Sequence, residues 1–207
     1  GYIFSEYMFI KNFRNDENLI IENQNYLKKI IKDSQPVIFI SGHFSNFELM
    51  AMHLEKSGID LAAIYRPLNN KYLNSFMEKI RERYICKKQI KKGISGTKSL
   101  LKSFKEGTSI ALMIDQRVSE GIKCNFFNVE ASTTTIPAQF VKKFGAKVVP
   151  IYIERIKNDN FRLVIHEPIS FSNNDTVNYI TLTLNKILEK MIIKNPEQWI
   201  WTHNRWK

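Results

Sequence analysis

The sequence predicts an α/β fold, a single domain in which helices flank one mixed, mostly parallel sheet. Short apolar runs typical of buried strands alternate with amphipathic helical segments along most of the chain. The 207 residues, of which 43% are hydrophobic, suffice for one substantial core. The last two predicted strands flank a polar turn at residues 157–160, so we expect them to add an antiparallel edge to the sheet.

The first part of the chain alternates helices with two clear strands. Pro36 opens the first buried strand, the turn Ser41-Gly42-His43 follows it, and Gly58 ends the next helix. Up to residue 86, the predicted helices are 3–13, 17–32, 44–56 and 70–83, and the predicted strands are 37–40, 61–65 and a short 84–86.

The second part continues the alternation and ends in a tryptophan-rich tail. Its predicted helices are 95–105, 136–144 and 177–193, its predicted strands are 109–114, 147–153 and 161–166, and residues 115–133 are predicted to be a loop. Function in such sheets gathers at the loops that leave the carboxyl ends of the strands. His43, Arg66 and Asp115 each follow a predicted strand, so they are the first candidates for a functional site.

The chain is strongly basic, with a net charge of +11. This charge fits nucleic acid, an anionic membrane surface, an acidic carrier protein or a phosphorylated substrate, although biased codon usage also produces a composition rich in Lys, Ile and Asn. Cys86 and Cys124 are too few for a disulfide framework, and no cluster has the spacing of metal ligands, so we expect neither a metal nor another cofactor. No apolar run reaches the about 18 residues that a membrane-spanning helix needs.

The segment from Ser41 to Glu48 carries the sharpest chemical signal. His43 lies at a strand exit and Glu48 about one turn into the predicted helix, so the ring is expected to fold back onto the carboxylate. A carboxylate on one ring nitrogen leaves the other free to act as a general base. Backbone N–H groups of the turn are expected to offer part of an oxyanion site. His43 acting only as a helix cap or a core residue is the alternative.

Several segments together resemble the bacterial lipid A biosynthesis acyltransferases, lauroyl and myristoyl transferases of the lysophospholipid acyltransferase superfamily. The resemblance extends from about Ile3 to Lys207 and occurs in the family's order. It is carried by Gly42-His43-Phe44-Ser45-Asn46-Phe47-Glu48, Tyr65-Arg66-Pro67, Glu106-Gly107 with Asp115-Gln116, Thr133-Thr134-Thr135 with Pro137, Val148-Val149-Pro150-Ile151, Pro196-Glu197-Gln198-Trp199 and Trp201-Thr202-His203-Asn204-Arg205-Trp206-Lys207.

The resemblance implies a glycerolipid-acyltransferase-like fold and a reaction at a membrane. It implies transfer of a fatty acyl chain from an acyl carrier protein thioester to a hydroxyl of a Kdo-bearing lipid A precursor, an anionic glycolipid, at the cytoplasmic face of the inner membrane. It makes residues 1–207 one catalytic domain that lacks the family's amino-terminal membrane-associating segment. His43 would be the general base and Glu48 its orienting partner.

The same resemblance suggests further substrate contacts. Arg66 would pair with a phosphate or sugar carboxylate, and Asp115 and Gln116 would either position His43, bind sugar hydroxyls or hold the following loop. Thr134 would contact substrate or cap the next helix. Arg205, together with His203 and the tryptophans of the tail, would face the lipid interface or close the core, and for Trp199 packing is favoured.

The sequence departs from the family pattern at three positions and leaves rivals open. Ser45 replaces a glycine, Phe47 a tryptophan and Asn204 an arginine. A related glycolipid or lysophospholipid acyltransferase, with another acceptor or an acyl-coenzyme A donor, fits the pattern nearly as well. A hydrolase that uses Ser41 or Ser45 lacks the serine elbow sequence. A nucleic-acid-binding protein lacks a binding motif, and we expect no nucleic-acid partner.

Overall fold

The computed structural model describes residues 2–15 and 17–206. Its strands, numbered along the chain, are β1 (Leu19–Glu22), β2 (Ile38–Ser41), β3 (Leu61–Tyr65), β4 (Lys88–Lys91), β5 (Ser109–Met113), β6 (Ile122–Phe126), β7 (Val129–Thr133), β8 (Val148–Lys157) and β9 (Asn160–Ile165). Its α-helices are α1 (Tyr2–Tyr7), α2 (Gln24–Asp33), α3 (Glu48–Lys56), α4 (Lys71–Ile80), α5 (Ile94–Lys105), α6 (Ile136–Phe144) and α7 (Val177–Lys194). Shorter turns of helix are Ile10–Asn15 and Pro196–Gln198, both 3-10, and Arg81–Ile85, which is π-helical.

The main sheet confirms the predicted α/β class. Seven strands lie in the order β1-β9-β8-β2-β5-β3-β4, and every neighbouring pair is parallel except β8 with β9. The central strands are buried on both faces: Ile38 and Phe39, which are consecutive and so point to opposite faces of the sheet, are both fully buried, as is Ile110. The remaining strands, β6 and β7, form a separate hairpin that packs on α7.

The sequence prediction was wrong in several local elements. Residues 17–32, predicted as one helix, form β1 and then α2, because Asn23 takes a left-handed conformation (φ 60°) that separates them. The antiparallel strand β9 therefore lies inside the sheet, and β1 covers it as the edge. The loop predicted over 115–133 contains the β6–β7 hairpin, and the short strand predicted at 84–86 is displaced to β4.

The strand register brings the predicted strand-exit residues to one border of the sheet. Ser41 in β2 pairs with Met113 in β5, so His43 and Asp115 each lie two residues beyond a paired position. Arg66 directly follows β3, the next strand along. We call this border, where β2, β5, β3 and β4 end, the carboxyl edge. Within the described ranges, no helix has the length and apolarity required to cross a bilayer.

Candidate active site

His43 and Asp115 form a hydrogen-bonded pair at the carboxyl edge. His43 Nδ1 lies 2.7 Å from Asp115 Oδ1. An ionised carboxylate only accepts hydrogen bonds, so this contact places the ring proton on Nδ1 and leaves a lone pair on Nε2. The ring packs edge-on against Phe47 at a centroid distance of 4.7 Å and is 19% exposed, whereas Asp115 is 3% exposed. The pair therefore presents an oriented base to a partly open surface.

Asp115 is held by three donors that fix it in its ionised form. Its Oδ2 accepts from the backbone N–H of His43 at 2.7 Å and from the indole N–H of Trp199 at 2.9 Å, in addition to the ring contact on Oδ1. Burial opposes ionisation of this carboxyl, but the hydrogen bonds and the charge of His43 outweigh it and hold the pKa of Asp115 below its usual range. The aspartate thus stays charged while its partner gains or loses a proton.

The carboxyl-terminal tail closes the site from the other side. Phe44 and Trp199 form an isolated antiparallel bridge: Ser45 N–H donates to Gln198 O at 2.8 Å, and Ile200 N–H donates to His43 O at 3.0 Å. His203 Nε2 accepts from the backbone N–H of Arg117 at 2.9 Å, and burial lowers the pKa of His203, which favours this neutral acceptor form. The tail therefore fixes both loops that carry the pair.

Within the described ranges no hydrogen bond or ion pair joins Glu48 to His43, so the structure gives His43 a different carboxylate partner from the predicted one. Glu48 Oε1 accepts from Arg81 Nη2 at 2.9 Å, from Arg81 Nε at 3.1 Å and from the Tyr7 hydroxyl. Helix α3 begins only at Glu48, because Phe44 is bridged to the tail and Ser45 takes a left-handed conformation (φ 43°). As the first residue of α3, Glu48 directs its carboxylate toward Arg81, which directly follows α4. Asp115, the other residue expected to be able to position His43, makes the contact instead.

Three backbone N–H groups of the turn, which were expected to offer part of an oxyanion site, are already engaged by other acceptors. The N–H of His43 is bound by Asp115, that of Phe44 by Gly42 O and that of Ser45 by Gln198 O. The hydrolase alternative loses support as well. The Ser41 hydroxyl is buried and donates to Ile151 O at 2.7 Å, and within the described ranges no hydrogen bond joins Ser45 to His43.

The other predicted substrate residues divide into an exposed and a structural group. Arg66 is exposed and Gln116 is partly exposed, both at the carboxyl edge next to the pair. The Thr134 hydroxyl accepts from Ile136 N–H at 3.3 Å just before α6, whose N-cap residue is Thr135. Arg205 is fully buried: it donates to Ser132 O and to the Thr133 hydroxyl, and it stacks on Phe126. A substrate contact by Arg205 is therefore wrong, because its guanidinium anchors the tail.

The sequence did not indicate the contact of Trp199 with Asp115 or those of Arg81 and Tyr7 with Glu48. Trp199 was correctly expected to pack in the core, but its N–H also holds Asp115. Arg81 and Tyr7 both donate to the buried carboxylate of Glu48, and no sequence motif indicated either residue. Because a buried Glu is rarely left unpaired, burial of Glu48 implies a cationic partner such as Arg81. No group of three or more His, Cys, Asp or Glu arranged to hold a metal occurs in the described ranges.

A separate cavity of about 350 Å³ lies between β8 and α7. Its lining combines apolar residues with cationic ones and includes Pro150, Tyr152, Ile187, Met191, Lys190 and Lys194. Neither His43 nor Asp115 lines it, so the oriented base does not open into this space.

Comparisons with known proteins identify a family and a related fold. A model of the family described as bacterial lipid A biosynthesis acyltransferase matches residues 3–207. A lipid A biosynthesis lauroyltransferase of Escherichia coli (strain K12) is 25% identical over 189 residues, which cover 88% of this chain and 60% of that protein. A lipid A biosynthesis acyltransferase of Haemophilus influenzae is 26% identical over 194 residues, 90% of this chain and 60% of the relative.

A solved structure supports the fold. The crystal structure of the 1-acyl-sn-glycerophosphate acyltransferase from Thermotoga maritima superposes with a TM-score of 0.56, covers 96% of this chain and 83% of that one, and is 14% identical. The chain spans about 60% of the length of the curated relatives it matches. Because the family model covers nearly every residue, the chain belongs to the bacterial lipid A biosynthesis acyltransferase family.

Proposed function

We propose that this chain catalyses the transfer of a fatty acyl chain from an acyl carrier protein thioester to a hydroxyl of a Kdo-bearing lipid A precursor. We place the reaction at the cytoplasmic face of the inner membrane. The observation that carries the proposal is the His43–Asp115 pair, with Nδ1 fixed by the carboxylate and Nε2 directed away from it. Membership of the acyltransferase family gives this base its reaction class.

The proposed reaction needs one base and no covalent intermediate on the protein. Nε2 of His43 takes the proton of the acceptor hydroxyl while that oxygen attacks the thioester carbonyl carbon. The tetrahedral intermediate collapses, the carbon–sulfur bond breaks, and the imidazolium returns the proton to the leaving thiolate. Asp115 keeps the tautomer and stabilises the imidazolium, which matches its firmly ionised state. The products are the acylated acceptor and a free thiol.

The exposed cations of the carboxyl edge suit the charges of both proposed substrates. Arg66 directly follows β3, and Lys91 and Lys92 end β4 next to it. A guanidinium binds a phosphate or a sugar carboxylate through two parallel hydrogen bonds. We propose that Arg66 does so for the acceptor, and that the basic surface attracts the acidic carrier protein.

The test is acyl transfer by the full-length protein, followed by mass spectrometry. Acyl carrier protein and coenzyme A thioesters are each offered with a Kdo₂-lipid IV-type acceptor or with lysophosphatidic acid, to the wild type, to His43→Ala and to Asp60→Asn. Asp60→Asn is the surface control, since Asp60 lies at the opposite border of the sheet with Lys88 and Thr108. We expect acylation of the Kdo-bearing acceptor from the carrier protein in the wild type and in Asp60→Asn, and none in His43→Ala.

Other outcomes separate the rival reactions. Acylation of lysophosphatidic acid alone would replace the proposed acceptor, and acylation from coenzyme A thioesters alone would replace the proposed donor. In both cases the assignment of the protein as an acyltransferase would stand. Free fatty acid without an acylated acceptor would indicate a hydrolase. Acylation that persists in a folded His43→Ala protein would contradict the proposed base.

A further inference from the structure

The loop before α4 and the first two turns of that helix leave a group of large apolar side chains in solvent. Tyr72 is 93% exposed, Leu73 and Phe76 are each 46% exposed, and Leu68 is 36% exposed. We call residues 66–77 the α4 protrusion. Single exposed apolar residues are ordinary, but four within nine positions form a patch of the kind that marks a binding surface.

The α4 protrusion extends beyond the carboxyl edge of the sheet. The Tyr65 hydroxyl, at the end of β3, donates to Glu78, which sets Glu78 level with that edge. Further along, the Cys86 thiol contacts Leu61 O at the start of β3, so the helical segment runs antiparallel to the strand. Lys91, at the end of β4, also pairs with Glu78, and Tyr72 lies six residues before Glu78, which is roughly 9 Å along the helix at about 1.5 Å per residue, in the direction that leads away from the sheet. The apolar group thus projects on the same side as His43.

Every charged side chain within the α4 protrusion itself is positive. Arg66 and Lys71 are exposed, and residues 66–77 contain neither Asp nor Glu. Lys92, directly after the neighbouring β4, is also exposed, whereas Lys91 at the end of β4 pairs with Glu78 at 3.5 Å. Trp201 adds a further half-exposed aromatic ring that packs on Trp199, the indole donor to Asp115. Apolar and aromatic side chains flanked by cations are what a protein presents to anionic lipid.

We propose that the α4 protrusion inserts into the boundary between headgroups and acyl chains of an anionic bilayer and holds the carboxyl edge against the membrane. This proposal adds to the proposed function the surface through which the site meets its lipid. Its evidence is the exposure and charge of side chains, which do not depend on the proposed reaction. An acidic carrier protein fits the cations but leaves the apolar side chains uncovered, so the bilayer is the better match. His43 would then face lipid hydroxyls that never leave the membrane.

Vesicle binding without turnover tests the proposal. Full-length protein is centrifuged with vesicles of phosphatidylethanolamine and phosphatidylglycerol, or of phosphatidylcholine alone. The test variant is Tyr72→Ser/Leu73→Ser. The matched control is Tyr179→Ser/Leu182→Ser, which removes two exposed residues of the same types from the start of α7, at the other border of the sheet.

We expect the wild type to bind the anionic vesicles and the α4 variant to bind them at least roughly tenfold more weakly, since burying one large apolar side chain changes partitioning by about that factor. The α7 control and His43→Ala should bind like the wild type. A negative result would leave acyl transfer measurable with detergent-dispersed acceptor, so failure of this surface and failure of the proposed reaction are distinguishable.

A second readout avoids removing the apolar side chains together. Cys86 and Cys124 are buried and burial raises the pKa of the Cys86 thiol to about 11, so an added surface cysteine is labelled preferentially. An environment-sensitive fluorophore on Tyr72→Cys should shift to the blue on addition of anionic vesicles, and one on Tyr179→Cys should not.

Four outcomes would overturn the proposal. The first two are that the wild type does not bind anionic vesicles, and that the α4 and α7 variants lose vesicle binding equally. The third is that the wild type does not bind vesicles and the α4 variant differs from it in oligomeric state. The fourth is that the α4 variant binds vesicles like the wild type but binds acyl carrier protein more weakly. The last two would assign the α4 protrusion to a second copy or to the carrier protein.

Discussion

Two buried carboxylates, Asp115 and Glu48, lie on either side of the loop that carries His43, and their partners give them opposite roles. Asp115 binds an imidazole, a backbone N–H and an indole, so the group beside it can still change its protonation. Glu48 binds Arg81, whose charge is permanent, and the Tyr7 hydroxyl. A carboxylate next to a titratable ring supports proton transfer, whereas one next to a guanidinium joins parts of the fold.

The largest effect is expected at Asp115. Asp115→Asn removes the charge that fixes the His43 tautomer and stabilises the imidazolium, so kcat should fall by about 10²–10⁴. Acyl transfer by the purified variant is the measurement, with circular dichroism to establish folding. Asp60→Asn, with an exposed carboxylate, should retain activity. Near-normal turnover in a folded Asp115→Asn protein would contradict the catalytic role assigned to Asp115.

Glu48→Gln should act mainly on stability. It leaves Arg81, which is 17% exposed, without its counter-charge, and the free energy of unfolding should fall by roughly 2–4 kcal/mol. Glu55→Gln is the control, because its more exposed pair with Arg14 should contribute about 1 kcal/mol or less. Denaturant unfolding and turnover per folded molecule are measured together. If Glu48→Gln lost as much kcat as Asp115→Asn, Glu48 would have a catalytic role and not only a structural one.

The pH dependence of stability should differ between wild type and Asp115→Asn. Because the pKa of Asp115 is lowered by folding, its ionised form stabilises the protein above the unfolded value of about 3.9, and this contribution is lost as the pH falls through the folded value. The difference in unfolding free energy between the two proteins should therefore shrink as the pH falls below about 4. If the difference in unfolding free energy grew on acidification, folding would raise the pKa of Asp115 instead of lowering it.

The smallest effect is expected at Ser45, which lies between His43 and Glu48. Its left-handed conformation (φ 43°) costs a residue with a β-carbon about 1 kcal/mol, so Ser45→Gly should stabilise the protein by roughly 0.5–1 kcal/mol. Thermal unfolding is the measurement. Ser34→Gly, at another left-handed serine (φ 52°) after α2, should give a similar gain and serves as the control. A destabilised Ser45→Gly would mean that the hydroxyl contributes more than the backbone strain costs.

Glycine at this position in the family pattern now has a physical reason. The chain must reverse between β2 and α3 while Phe44 stays bridged to Trp199. A left-handed residue at 45 achieves this, and glycine adopts that conformation without a steric cost. The sequence alone indicated only that Ser45 departs from the pattern.

Most strands and helices were predictable because their signals are local. The continuous apolar run of β2, the glycine after α6 and the apolar spacing of α7 each lie within a few residues, and the structure confirms them. β1 was missed because four residues with a half-buried pattern look like the start of the helix that follows. The β6–β7 hairpin was missed because its two strands are short and partly exposed, and its turn at Phe127 and Asn128 uses left-handed residues without glycine.

The sequence by itself determined the α/β class, the placing of His43, Arg66 and Asp115 at strand exits, and the family that their motifs resemble. Only the tertiary structure decided which carboxylate serves His43. β2 and β5 are neighbours although β3 and β4 separate them in the chain, so Asp115 meets His43 from 72 positions away, while Glu48 turns toward Arg81. Periodicity along the chain reports which side of an element is buried, but the order of strands depends on how the whole chain packs.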